Sequence, residues 1–301
     1  MHEDDVKRAA AEFVKFVPTT PHVNILMASH ILLKMEPKGE ESRQTSIGRI
    51  ATDQIRDIIL YAAAEAEAHE RVRFYLTISK QPGFRISASK MFEEFVLSWF
   101  YAHSNNYVPC DAAQATSPYL QIPACGEEEH TVFFGSKSAL KKKTRSDTIL
   151  PLLLLPTSQS FPTADAIILT EESIITIQVT IANSHKVKGS GFATIEQHLS
   201  VVAKRSRKWC HVFITDNEYS AMSLRNQTFS ELPHSVQIYS AVFDVGTPSI
   251  TRKQVEGFKN RRVSVCFGCT RLKLMPVITN HQQREIRDQQ DDDDDTDLEV
   301  E

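Results

Sequence analysis

Between Ile174 and Ile181 apolar and polar residues alternate: Ile175, Ile177, Val179 and Ile181 fall on one set of positions, Thr176, Gln178 and Thr180 on the other. Side chains two apart on a strand share a face, so one face of this strand is aliphatic and the other carries two hydroxyls and an amide. On an edge strand such a row would simply meet solvent. Asp165 stands at the mouth of the preceding apolar run, and the short Glu171–Glu172–Ser173 link makes the two runs antiparallel neighbours, so that Asp165 and Gln178 can meet. The third candidate is Glu93, with Val96, Leu97 and Phe100 at i+3, i+4 and i+7. It points into the stripe of its helix that packs on a sheet, where an acid is costly unless paired, hydrogen-bonded or bound to a metal. Glu94 instead pairs with Lys90 at i−4, as a surface acid does. A capped or half-exposed Glu93 fits the same pattern; if instead two acids and an amide aim oxygens at one point, they make a site able to grip a hard cation.

The elements that must position these residues follow from periodicity. Val6, Ala10, Phe13 and Val17 make a helical stripe from about Asp4, and Ile47, Ala51, Ile55, Ile58 and Ala62 predict a second helix from Ser46 to about Val72, with a loop between them. Pro82 and Gly83 mark a boundary. Beyond it the pattern predicts a helix over 87–103, a strand over 131–134 and an apolar run over 149–155. Strands over 165–170 and 174–181, a helix over 192–204, a strand over 209–215, a short helix over 220–226 and a strand over 236–243 follow. The expected fold is a mixed α/β arrangement of a sheet and flanking helices. The expected organisation is a helical appendage over 1–82 without a G-x-x-x-x-G-K-[ST] loop, a domain over 83–247, a helix-and-strand extension over 248–287 and a disordered acidic tail over 288–301.

The order of these parts resembles the PD-(D/E)XK, restriction-endonuclease-like fold. "FPTAD" ending at Asp165, followed by Gln178-Val179-Thr180 with His185, Gly189 and Gly191 downstream, is similar to the nuclease-like module of the crinkler and retrotransposon hot spot families. The resemblance covers about residues 87–245. It implies a Mg²⁺ site, with Mn²⁺ as a substitute, at which carboxylates hold the ion, the ion polarises the phosphate and activates water, and a Lys steadies the developing charge. Carried over, Asp165 is the principal metal ligand, Glu93 orients a metal-bound water, and Gln178 offers a neutral carbonyl oxygen where the family has a second carboxylate. Thr180 stands where the family has Lys. Lys186 or Lys188 on the following loop would have to supply the charge, and His185 would move protons or touch phosphate; no spacing rule fixes a loop side chain, and all three are equally read as plain loop residues. Residues 1–82 look like at most the helical end of the ATPase unit that often precedes this module. Cleavage and binding without cleavage are both compatible with the departures from the motif.

Charge points to the same partner. Nine of the 38 acids lie between Asp288 and Glu301, leaving 34 bases against 29 acids (38 less nine), a balance of +5. The bases cluster at Lys141, Lys142, Lys143 and Arg145, at Lys204, Arg205, Arg207 and Lys208, and at Lys259, Arg261 and Arg262. Such clusters attract DNA or other nucleic acid, and equally occur as solvated helix ends. They also permit nuclear import. No apolar run reaches the length of a membrane span, nothing at the start resembles a signal peptide, and the scattered odd number of cysteines fits reduced thiols, so an intracellular protein is expected. Cys266 and Cys269 form a lone C-x-x-C, short of the four ligands of a zinc site. A protein-interaction module whose acidic tail mimics nucleic acid or covers the basic surface is the third function class.

Overall fold

The computed structural model describes residues 3–16, 32–37, 46–66, 68–113, 119–126, 130–134, 138, 140–141, 144, 149–157, 161, 163–200, 204, 207–229, 232 and 235–245. Helix α1 (Glu3–Phe16) precedes an antiparallel pair, β1 (Leu33–Pro37) and β2 (Ser46–Ile50), and then α2 (Asp53–Glu65) and α3 (Ala68–Ile78). A 3₁₀ turn at Pro82–Phe84 starts the chain into α4 (Arg85–Ala102). Strands β3 (Ser104–Ala112), β4 (Leu120–Cys125), β5 (Thr131–Phe134), β6 (Leu152–Pro156), β7 (Ala166–Leu169) and β8 (Ser173–Val179) come next. Helix α5 (Gly189–His198), β9 (Lys208–Thr215), α6 (Glu218–Arg225) and β10 (Val236–Val242) complete the described chain.

The predicted helix over 46–72 is corrected at two places. Residues 46–50 pair with β1 as a strand, and the helix begins only where Thr52 Oγ1 accepts the Ile55 N–H, a cap that satisfies one of the orphan donors of the first turn. Ala66 is extended (φ −70°, ψ 158°), which ends α2 and separates it from α3. The strands β3 and β4 were not anticipated; Asn105, Asn106 and Pro109 give that stretch little strand propensity, and it is pairing with β10 and between the two strands that makes them. The extension beyond 247, the lone C-x-x-C and the acidic tail lie outside the described residues.

The eight-stranded sheet has the order β4-β3-β10-β9-β8-β7-β6-β5. Strands β8, β9 and β10 run parallel, while β7 is antiparallel to β8 and β3 to β10, so the sheet is mixed and helices cover both of its faces. On one face Leu153, Ile168, Ile175, Ile177, Val212 and Ala241 share a continuous core with Phe13 of α1, Ile59 of α2, Phe74 of α3 and Phe92 of α4. On the other, Leu154, Ile167, Leu169 and Ile174 pack with Ile195 of α5, and Phe213 packs with Phe192, Val187 and Leu224. The alternation read from the sequence thus separates two buried layers rather than core from solvent. Each fully buried Ile on β8 contributes about 2 kcal/mol, which pins the register and with it the face on which Gln178 emerges. Among the described residues no helix is long and apolar enough to cross a membrane.

Candidate functional site

Because β8, β9 and β10 are parallel, their carboxyl ends gather along one rim of the sheet, and open α/β sheets bind ligands at such rims. Asp165 reaches this rim from the start of β7. Its N–H donates to Ile177 O (2.8 Å), the last backbone bond of the β7–β8 ladder. One residue further the side chain replaces the backbone: Asp165 Oδ2 accepts the Val179 N–H and the Gln178 Nε2 amide, each at 2.7 Å. Both side chains are half-buried. The meeting of Asp165 and Gln178 follows from the antiparallel link and the two-residue period, as the sequence led us to expect. The chemistry at the contact differs, since Gln178 presents its N–H to Asp165 and turns its carbonyl oxygen away. Two donors, one of them on the backbone, meet on Oδ2, so a cation on that oxygen has to displace or invert the amide.

The polar row continues inward and is satisfied within the protein. Thr176 is wholly buried, its Oγ1 3.1 Å from Cys210 O and 2.9 Å from His211 Nδ1. The hydroxyl has one proton, which the carbonyl takes, so Nδ1 is the protonated nitrogen of His211. Its Nε2 is then a buried acceptor with no partner among the described residues, enclosed by the Phe192 and Phe213 rings at 5.3 and 4.7 Å. Burial, with a smaller contribution from nearby His185, lowers the His211 pKa to about 3. Thr180 is buried too; its N–H donates to Ile214 O (2.9 Å) and its Oγ1 accepts the Ala182 N–H (3.1 Å), which turns the chain off the strand. This position, where the resembled motif has Lys, is used for a turn.

The loop that follows carries three expected residues. His185 is half-buried, its ring 6.2 Å from that of Phe213, and burial lowers its pKa. Lys186 and Lys188 are exposed, Lys188 being the residue that precedes α5. Glu93 is half-buried on α4, which packs on the face opposite to Gln178. Its neighbour Phe92 meets Tyr75 at 5.9 Å and Phe243, just past β10, at 6.3 Å, so α4 holds this turn against the face of the sheet away from the Asp165–Gln178 contact. Among the described residues no three His, Cys, Asp or Glu side chains form a group able to hold a metal ion. Of the expected phosphate-binding residues, Lys141 is exposed and Lys204 half-buried, whereas Lys142, Lys143, Arg145 and Arg205 lie outside the described residues.

Several rim residues were not singled out from the sequence. Asp216, just past β9, accepts Tyr75 OH through Oδ2 and Asn217 Nδ2 through Oδ1, each at 2.7 Å. Burial and the Asp216 bond push the Tyr75 hydroxyl far above its usual range. Asn217 caps α6 by accepting the Ser220 N–H (2.9 Å), and Ser220 Oγ donates to Asn183 Oδ1 (2.7 Å). The Asn217 cap was legible in "TDNEYS", an Asx residue just ahead of a helical stripe; contacts across 37 and 141 residues were not. No family model, no curated protein and no solved structure matches the chain.

Proposed function

We propose that this chain is a nucleic-acid-binding module of restriction-endonuclease-like architecture, akin to the crinkler and retrotransposon hot spot modules, in which binding is kept and phosphodiester cleavage is not. The observation that carries the reading is the double acceptance by Asp165 Oδ2 of Gln178 Nε2 and Val179 N, which takes up one of the two oxygens of the acid that would hold Mg²⁺ and turns it to tying the strand end. It is supported by Thr180, committed to a turn where a cleaving enzyme needs Lys, and by exposed Lys186 and Lys188 beside the rim, which suit phosphate oxygens.

A second reading, Mg²⁺- or Mn²⁺-dependent cleavage, is favoured by the meeting of Asp165 and Gln178 at the carboxyl rim, and would have to do without Glu93, whose helix packs on the opposite face. It requires the Gln178 amide to invert so that its carbonyl oxygen faces the cation, and Lys186 or Lys188 to supply the positive charge. Duplex binding across a salt series, paired with nicking of supercoiled plasmid in Mg²⁺ or Mn²⁺ by wild type and Asp165→Ala, separates the two. Salt-sensitive binding without nicking in either protein is expected. Metal-dependent nicking lost in Asp165→Ala would establish the second reading, and no binding at low salt would remove both.

A further inference from the structure

The segment after β8 leaves the sheet at the rim, yet it is tied at nearly every second residue. Ser220 Oγ donates to Asn183 Oδ1 (2.7 Å) and Ser223 Oγ to Asn183 O (2.8 Å). Gln227, just past α6, holds His185 from both sides: its Oε1 accepts the His185 N–H (3.1 Å) and its Nε2 donates to His185 O (2.9 Å). Val187 is buried against Phe192, Phe213 and Leu224, and Thr163 Oγ1 donates to Lys188 O (3.2 Å).

The Gln227 pair has the form of a strand partner, since one amide side chain satisfies both the donor and the acceptor of a single residue. Half-buried His185 and buried Val187 alternate with exposed Lys186 and Lys188, and Lys188 is extended (φ −96°, ψ 120°), so both lysines are turned to solvent. A loop ordered before binding spares a ligand the entropy of ordering it.

We infer that Gln227 is the positioning residue of this loop, clamping His185 so that Lys186 and Lys188 are presented together to successive phosphates of a nucleic-acid strand. The choice of ligand rests on the proposed function; the clamp does not. Ser220, Ser223 and Gln227 all come from α6 or the turn after it, so α6 serves as the splint for the basic loop.

Amide hydrogen exchange on the full chain reads the clamp, and anisotropy with a labelled DNA duplex over a salt series reads its use. In Gln227→Ala the His185 amide is expected to exchange about tenfold faster, the loss of roughly one hydrogen bond, with the β8 and β9 amides unchanged. Duplex affinity falls several-fold with the salt slope kept, because both lysines remain. Lys186→Ala lowers that slope by about one. Gln227→Glu keeps the acceptor for the His185 N–H, so it retains most of that protection and serves as the folded comparison. Unchanged His185 exchange in Gln227→Ala would overturn the positioning role. No duplex binding by the wild-type chain, or a Lys186→Ala slope equal to wild type, would overturn the ligand while the exchange result still judges the clamp.

Discussion

Asp165 shows what one carboxylate does at the end of a ladder. It extends the β7–β8 pairing by side chain after the backbone bonds stop, and Asp165→Ala leaves the Val179 N–H and the Gln178 amide without their acceptor. Hydrogen bonds to a charged acceptor are the stronger kind, and the variant is expected to lose about 2 kcal/mol in urea denaturation; an unchanged midpoint would mean that water replaces the carboxylate at no cost. His211 gives a pH dependence of known sign. Its folded pKa, about 3, lies below the ordinary 6.5 because the ring is buried, so the folded state keeps it neutral. The stability this represents is complete above pH 6.5 and is lost as pH falls toward 3, by about 1.4 kcal/mol per unit from this group. His185, shifted the same way by burial, adds to the acid loss. His211→Gln should flatten the stability profile between pH 6.5 and 3, measured by urea titration at fixed ionic strength. The sequence made the Asp165–Gln178 meeting legible because a short link and a two-residue period fix it. It did not reveal that the Val179 N–H shares the same carboxylate oxygen, which depends on where the β7–β8 backbone pairing stops; once the two side chains meet without a cation, only the N–H end of the amide can face an acceptor.

Strand β8 was read correctly as an alternating element, but what covers its polar face was not contained in its own residues. Helix α5 lies over it, and the Thr176–His211 pair beneath is sealed by Phe192. The pair β1–β2 and the strands β3 and β4 are not announced by their own residues: they become strands by pairing with a neighbouring strand, and β3 also with β10, distant in sequence. Elements are also tied across layers. The Tyr75 hydroxyl on α3 bonds Asp216 at the end of β9, and Tyr75→Phe removes only that oxygen. A loss of about 1.5 kcal/mol is expected, together with faster amide exchange at Asp216 and Asn217. No change at those amides would show that α3 does not brace the rim.

At the scale of the molecule, the helices before Pro82 and the sheet after it share one core. Val6, Phe13, Phe74 and Ile175 belong to the same buried cluster, and Phe13 meets Phe74 edge-on at 5.8 Å and Phe84 at 5.9 Å. A helical stripe in a sequence announces that a face is buried, not what it is buried against, which is why 1–82 reads as an appendage when taken alone. Phe13→Ala is expected to cost about 3 kcal/mol and to move a single unfolding transition seen both by far-UV signal and by Trp99 and Trp209 fluorescence. Two separate transitions, only one of them shifted, would contradict a shared core.

Loss of cleavage rests on the partnership of Gln178 and Asp165, and the side-chain amide resonance of Gln178 reports on it directly. Titrating Mn²⁺ into ¹⁵N-labelled protein should leave that resonance sharp and its position unchanged, because in the non-cleaving reading Asp165 serves the strand end and takes no cation. Selective paramagnetic broadening of the Gln178 amide, reversed by excess Mg²⁺, would place a cation at Asp165 and contradict it.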